Sequence, residues 1–214
     1  MSSPPPRRAR RKADRPSEVL DAALDCFRER GFAATRMEDI AVRAGVSKGT
    51  VYLYYPSKQA VFEALVRANI LPNLEGAAAS LVAHPGPASA QLRLMLDFVA
   101  QVTSNPRLVA LPKLVLAEAG NFPDLAVFYR REVVGRGLAM LEGVLARGMA
   151  AGEFRPLPLT ATARLFLAPL LLNALWQTTF AAQESAPLPP AELLALHAEL
   201  FLRAIAAPAE DPHR

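Results

Sequence analysis

Apolar residues recur along this chain at the spacing of helices, and no convincing strand alternation is present. Leu20, Ala23, Leu24 and Phe27 fall at i, i+3, i+4 and i+7, one helix face, which Val19, Ala22 and Cys26 widen. Gly31 stands where a left-handed residue would end that helix. In "TRMEDIAVRAG", Met37, Ile40, Ala41 and Ala44 form a second stripe; Thr35 and Glu38 have capping-box spacing, and Gly45 ends the helix. Ser47 suits the N-cap of a short helix over about 48–54, which Pro56 stops. Ser57 can cap a fourth helix carrying Val61, Phe62, Leu65 and Val66. After about residue 70 the chain becomes rich in Ala and Leu, with breaks at Pro72, 84–87, 105–106, Pro123, 155–158 and 186–190. Helices are predicted between them over about 88–103, 107–119, 124–150, 159–182 and 190–206. The fold class that follows is all-α: a small N-terminal unit and a larger C-terminal helical bundle, without internal repeats.

Composition settles several points that the periodicity leaves open. The uncharged run "LFLAPLLLNALWQTTFAA" (165–182) has 18 residues, the lower edge for a membrane span. Pro169, Asn173, Gln177, Thr178 and Thr179 would face lipid on several sides, so the expectation is a helix buried in a core or subunit interface, with no membrane partner. With 214 residues and 52% hydrophobic composition the chain can bury a proper core. Its single cysteine, Cys26, excludes an internal disulfide and fits a reducing cytoplasm; on the apolar stripe it reads as a small core residue. The N-terminus is basic and Pro-rich and lacks the apolar core of a secretory signal. Residues 1–14, including "RRARRK" (7–12), are expected to be a disordered basic tail, and 208–214 a second tail.

Charge is unevenly placed. Residues 1–60 hold 12 Lys/Arg against 7 Asp/Glu, and the remainder 12 against 13. A basic head on a neutral body is the asymmetry of a nucleic-acid-binding protein, although a basic tail on an ordinary surface gives the same count. The segment that decides is 35–58. Two short helices joined by a tight turn, the second polar and basic, describe a helix-turn-helix. Ala41 is small where the helices touch, Gly45 suits a positive φ, and Val46 and Val51 can pin the second helix to the first. Ser47, Lys48, Thr50 and Tyr54 are left on its polar face, able to enter a major groove end-on.

Over about residues 15–66, "AALDCFRERGF" and "TRMEDIAVRAGVSKGTVYLYYPSKQAVFEALV" resemble the TetR family of transcriptional regulators, in their residues and in the distances between parts. The resemblance implies a homodimer with N-terminal DNA-reading heads (15–66) and C-terminal ligand-binding, dimerising bundles (67–207), usually a repressor released by a small molecule. It implies that Lys48 and Thr50 approach bases or nearby phosphates, that Gly49 lets the backbone come close to DNA, and that Tyr52 lies against the sugar-phosphate. Tyr54 should donate to a phosphate, Tyr55 should turn into the core, and Lys58 should hold a phosphate beside a helix N-terminus. Thr35 and Arg36 should also reach the backbone. Arg36 and Arg43 read equally as surface charges, and the 7–12 tail as a minor-groove arm or a non-specific attractant.

The C-terminal part says less. "KLVLAEAGNFPDLAVFYRREVV" (113–134) resembles one subgroup of that family. Glu118 within it could face a pocket, cap a neighbouring element or pair with Arg130 or Arg131. An effector cavity should be mostly apolar with a few polar handles, and candidates are Phe98, Val102, Leu114, Glu118, Phe122, Phe128, Met140, Phe166, Asn173, Trp176 and Gln177. A hydrophobic or aromatic effector is expected. Leu167, Leu170, Leu171 and Ala174, with Leu193, Leu196 and Leu200, are expected to pack against their copies in a four-helix dimer interface. His84, His197 and His213 are scattered; no metal spacing, phosphate loop or nucleophile elbow is present, so no enzyme, cofactor or metal is expected. The reading is a homodimeric DNA-binding regulator on a near-palindromic operator. Its rivals are a regulator that works without ligand, and a small-molecule-binding bundle with a degenerate DNA head.

Overall fold

The computed structural model describes residues 7–208, with side chains from Arg15 onward; the ends of both expected tails lie outside the described residues. All regular elements among those residues are helical. The chain divides into two compact units, a head of residues 1–70 joined by 110–129, and a body of 71–109 and 130–214. Residues 110–129, expected within the bundle, therefore group with the head.

In the head, α1 (Arg7–Ala34) runs through Pro16 and kinks at Gly31, whose φ of 78° only glycine adopts cheaply. The backbone is already helical at Arg7, where a disordered tail was expected. α2 (Met37–Arg43), α3 (Lys48–Tyr54) and α4 (Lys58–Asn69) follow at the predicted places. Val19, Leu24, Phe27, Ile40, Val51, Val61, Phe62 and Leu65 are buried. Each of the four helices thus supplies its apolar stripe to one core, the main source of stability for helices this short. The carboxy-terminal part of α7 (Pro106–Glu118) and α8 (Pro123–Tyr129) complete it. Phe32 packs edge-on against Phe62 and Phe122, and Phe62 against Phe128. Cys26 is buried, and burial pushes its thiol pKa up, which makes it inert.

In the body, α5 (Leu71–Ala83), α6 (Ala88–Thr103), α9 (Gly135–Ala150), α10 (Leu159–Thr179) and α11 (Pro190–Ile205) surround Leu92, Leu141, Val144, Leu145, Phe154, Phe166 and Leu170. α5 was not predicted: Pro72 reads as a breaker, yet in a first turn its missing N–H has no intrahelical partner to lose. The expected single helix over 124–150 is instead α8, a π-helical turn (Arg130–Val134) and α9. Gly148 lets α9 and α6 close up: a Cβ there would overlap the Phe154 ring and come within 2.8 Å of the Ala88 Cβ. Glu153 caps α6, accepting from the Ala88 and Ser89 amides (2.7 and 3.1 Å). Burial opposes its charge, and these hydrogen bonds overcome that and lower its pKa.

α10 is long and apolar enough to cross a membrane, but one side of it is body core. Phe166, Leu170 and Ala174 are buried there with Asn173. Leu170 and Ala174 are thus core, not interface as expected. Leu171, Leu196 and Leu200 are exposed, Leu167 and Leu193 half-buried. Leu165, Leu172, Trp176 and Phe180 extend the exposed apolar face.

Candidate nucleic-acid interface

The turn between α2 and α3 is a Schellman motif. Gly45 has φ 64°, Val46 N–H donates to the Ala41 carbonyl (3.0 Å) and Gly45 N–H to Val42 (3.2 Å). Ser47 then caps α3, its Oγ accepting from Thr50 N (3.2 Å) and lying 2.8 Å from Thr50 Oγ1. Val51 is fully buried, which fixes the rotation of α3. At about 100° per residue, Gly49 and Leu53 point furthest from Val51, with Lys48 and Tyr52 to one side and Thr50 and Tyr54 to the other. Ser47, Lys48, Gly49 and Tyr52 are exposed, and Thr50 and Tyr54 half-buried. A Cβ on Gly49 would meet nothing closer than Ser47 Oγ at 3.9 Å, so the fold itself does not require glycine there.

Lys48 carries an ion pair with Glu38 of α2, and its ammonium lies 5.7 Å from the Tyr52 ring centre. The hydrogen bond between them raises the lysine pKa and lowers that of Glu38. Arg36, exposed, is the N-cap of α2. Arg43 forms a two-pronged pair with Glu29 (2.7 and 2.6 Å), and Arg30 pairs with Asp39 (3.0 Å). Tyr55 faces the protein: its hydroxyl donates to the Pro16 carbonyl (3.2 Å), and burial raises its pKa.

Two residues expected to reach the DNA backbone are engaged within the protein. Thr35 is 1% exposed and its hydroxyl donates to the Cys26 and Gly31 carbonyls (3.2 and 2.7 Å). The capping carboxylate of α2 is accordingly Asp39, which accepts from Arg36 N–H (2.8 Å), and not Glu38. Lys58 turns inward. Its ammonium donates to the carbonyls of Phe32 (2.5 Å), Ala33 (3.1 Å) and Thr35 (2.8 Å) and sits over the Phe32 ring. Burial lowers its pKa, with the charge of Glu118 opposing. Glu118 is buried and accepts from Ala33 N–H (3.0 Å), so it caps a neighbouring element and does not pair with Arg130 or Arg131. Lys58 and Glu118 together hold the 31–35 turn that leads into α2.

The candidate effector residues are divided between the head and the body. Leu114, Glu118, Phe122 and Phe128 belong to the head, and Phe122 and Phe128 pack in its aromatic cluster. Phe166 fills the body core against His197 and Phe201. Met140 packs on that core, Asn173 is buried beside it, and Val102 is half-buried. Trp176 Nε1 donates to Glu184 (2.7 Å) and Gln177 Nε2 to the Leu188 carbonyl (3.1 Å), both tying down the α10–α11 connection. Phe98 lines a groove of about 280 Å³ between α5 and α6, with Leu81, Leu94, Met95 and Asp97, and Phe122 lines a separate one of about 340 Å³ in the head, with Phe32, Lys58 and Leu125.

Sequence reading passed over Leu53 and Glu38. Leu53 is 77% exposed on α3, and the helical period from Val51 could have placed it. The approach of Glu38 to Lys48, ten residues on, depends on how the turn folds.

Comparison with known proteins places both units. Residues 19–65 match the model of bacterial regulatory proteins of the tetR family, and residues 90–206 that of the AefR-like transcriptional repressor C-terminal domain. The HTH-type transcriptional regulator RutR of Escherichia coli is 44% identical over 61 residues, 28% of this chain and 29% of RutR, so the match spans under a third of either. The HTH-type transcriptional regulator YfiR of Bacillus subtilis is 27% identical over 174 residues, 73% of this chain and 76% of YfiR. The structure of Bacillus subtilis FadR, a transcriptional regulator in complex with stearoyl-CoA, superposes with a TM-score of 0.74 at 20% identity. It covers 88% of this chain and 98% of that one.

Proposed function

Because the chain belongs to the TetR family of bacterial regulatory proteins and is a helix-turn-helix transcriptional regulator, we propose that it is a repressor that binds a near-palindromic operator as a homodimer. The observation that carries this reading is the outward face of α3. Lys48, Gly49, Tyr52 and Leu53 stand exposed on a helix whose opposite side is pinned by Val51. Lys48 and Thr50 supply donors to base edges or phosphates, Leu53 an apolar contact for a thymine methyl, and Tyr52, Tyr54 and Arg36 contacts to the backbone. Ser47 contributes through the cap that orients them. Such a protein works in the cytoplasm, on double-stranded DNA.

Release by a small hydrophobic or aromatic effector completes the reading. Its support is the family, the stearoyl-CoA bound by the FadR neighbour, and the apolar groove beside Phe98. An effector acts by preferring one of two arrangements of the dimer.

Selection from a random duplex pool at near-physiological salt should enrich a palindrome. Lys48→Ala with Tyr54→Ala should abolish that enrichment while leaving a folded dimer; retained enrichment would mean that another surface reads the DNA. Gly49→Ala should stabilise the head by about 0.5–1 kcal/mol, because glycine is a poor helix residue. It should also weaken operator binding roughly tenfold, the scale of one lost base contact. Thermal unfolding and a binding titration measure the two effects, and unimpaired binding would show that DNA does not approach Gly49.

A further inference from the structure

We propose that Glu38 reads sequence: with Lys48 it forms a donor–acceptor pair that selects one G·C base pair in each half-site. The inference rests on the DNA-reading role of α3.

Glu38 is the second residue of α2 and Lys48 the first of α3, so the two helices bring a carboxylate and an ammonium together on the outward surface. Both side chains are about half exposed, 49% and 57%. The pair is not needed for the fold. Exposed ion pairs contribute little to stability, and the capping of α2 is done by Asp39. On a surface that must approach a polyanion, a carboxylate is repelled by phosphates unless it meets a hydrogen-bond donor. A Lys48 that keeps this ion pair on entering the groove brings the Glu38 carboxylate with it.

The major groove restricts what such a pair can meet. A lysine needs acceptors, and guanine offers O6 and N7; a carboxylate needs a donor, and cytosine offers its N4 amino group. A G·C pair presents these side by side, acceptors first and donor next. An A·T pair places its donor on the purine and ends in thymine O4 and a methyl group, which gives the carboxylate nothing at the pyrimidine. The Tyr52 ring flanking the ammonium limits the directions Lys48 can take.

The test uses full-length protein and the operator that wild type selects. Glu38→Ala should reduce the preference for one symmetry-related G·C pair roughly tenfold, leave other positions unchanged, and tighten binding to non-cognate DNA. Replacing that cytosine by 2-pyrimidinone, which lacks the 4-amino group, should weaken wild type about as much and Glu38→Ala not at all. That second arm separates base contact from mere positioning of Lys48. An equal penalty for both proteins, or an unchanged selected sequence with Glu38→Ala, would overturn the proposal. A wild type that enriches no sequence would overturn the DNA-reading role of the head, and this proposal with it.

Discussion

Lys58→Met should cost the head roughly 2 kcal/mol of stability, the scale of leaving buried acceptors unpaired, and leave the salt dependence of DNA binding unchanged. The family resemblance implies the opposite: a lysine at the start of α4 holding a phosphate, whose loss would lower the salt slope by about one. In the structure the ammonium turns into the protein, which favours the first outcome. Its three donors are occupied by the Phe32, Ala33 and Thr35 carbonyls, at the end of α1 where helix carbonyls lack partners. Methionine keeps the packing against Phe32 and removes the charge and donors, so the variant isolates the polar contribution. Urea unfolding followed by binding titrations at several salt concentrations reads both effects. A lower salt slope at unchanged stability would return Lys58 to the phosphate.

Thr35, Lys58 and Glu118 bear on what a sequence can disclose. Features encoded within one helical turn were legible: Gly31 and Gly45 at positive φ, Ser47 and Ser57 as caps, Val51 as the buried pin of α3. Features that depend on residues meeting across the fold were not. Thr35 has cap-like spacing, but its hydroxyl is taken by carbonyls of α1, and the cap falls one residue later. Glu118 reaches Ala33 across 85 positions, and no local pattern announces that. α10 fails for a different reason. It is apolar almost all round, so periodicity cannot say which side meets the body core, and Leu170 and Ala174 were placed on the wrong side.

The outward side of α10 yields the other large effect. Leu165→Arg with Leu172→Arg should convert a dimer to a monomer and reduce operator affinity roughly a hundredfold or more, the scale on which two linked heads exceed one. Leu165 is 67% and Leu172 61% exposed, so neither holds the body together within the chain. With Leu171 and Trp176 on α10, Phe180 just after it, and Leu196 and Leu200 on α11, they leave an apolar face larger than scattered surface leucines account for. A second copy is the occupant that fits. A two-fold interface pairs the same patch with itself, and α10 and α11 from each chain would form a four-helix contact. The two substitutions add four like charges to such an interface, two from each copy, where desolvating them is costly. Sedimentation gives the mass, and far-ultraviolet circular dichroism checks that the helices persist. A dimer with undiminished operator binding would move the interface elsewhere. A folded monomer that still binds with full affinity would show that one head suffices, and the two-headed reading of the operator would fall.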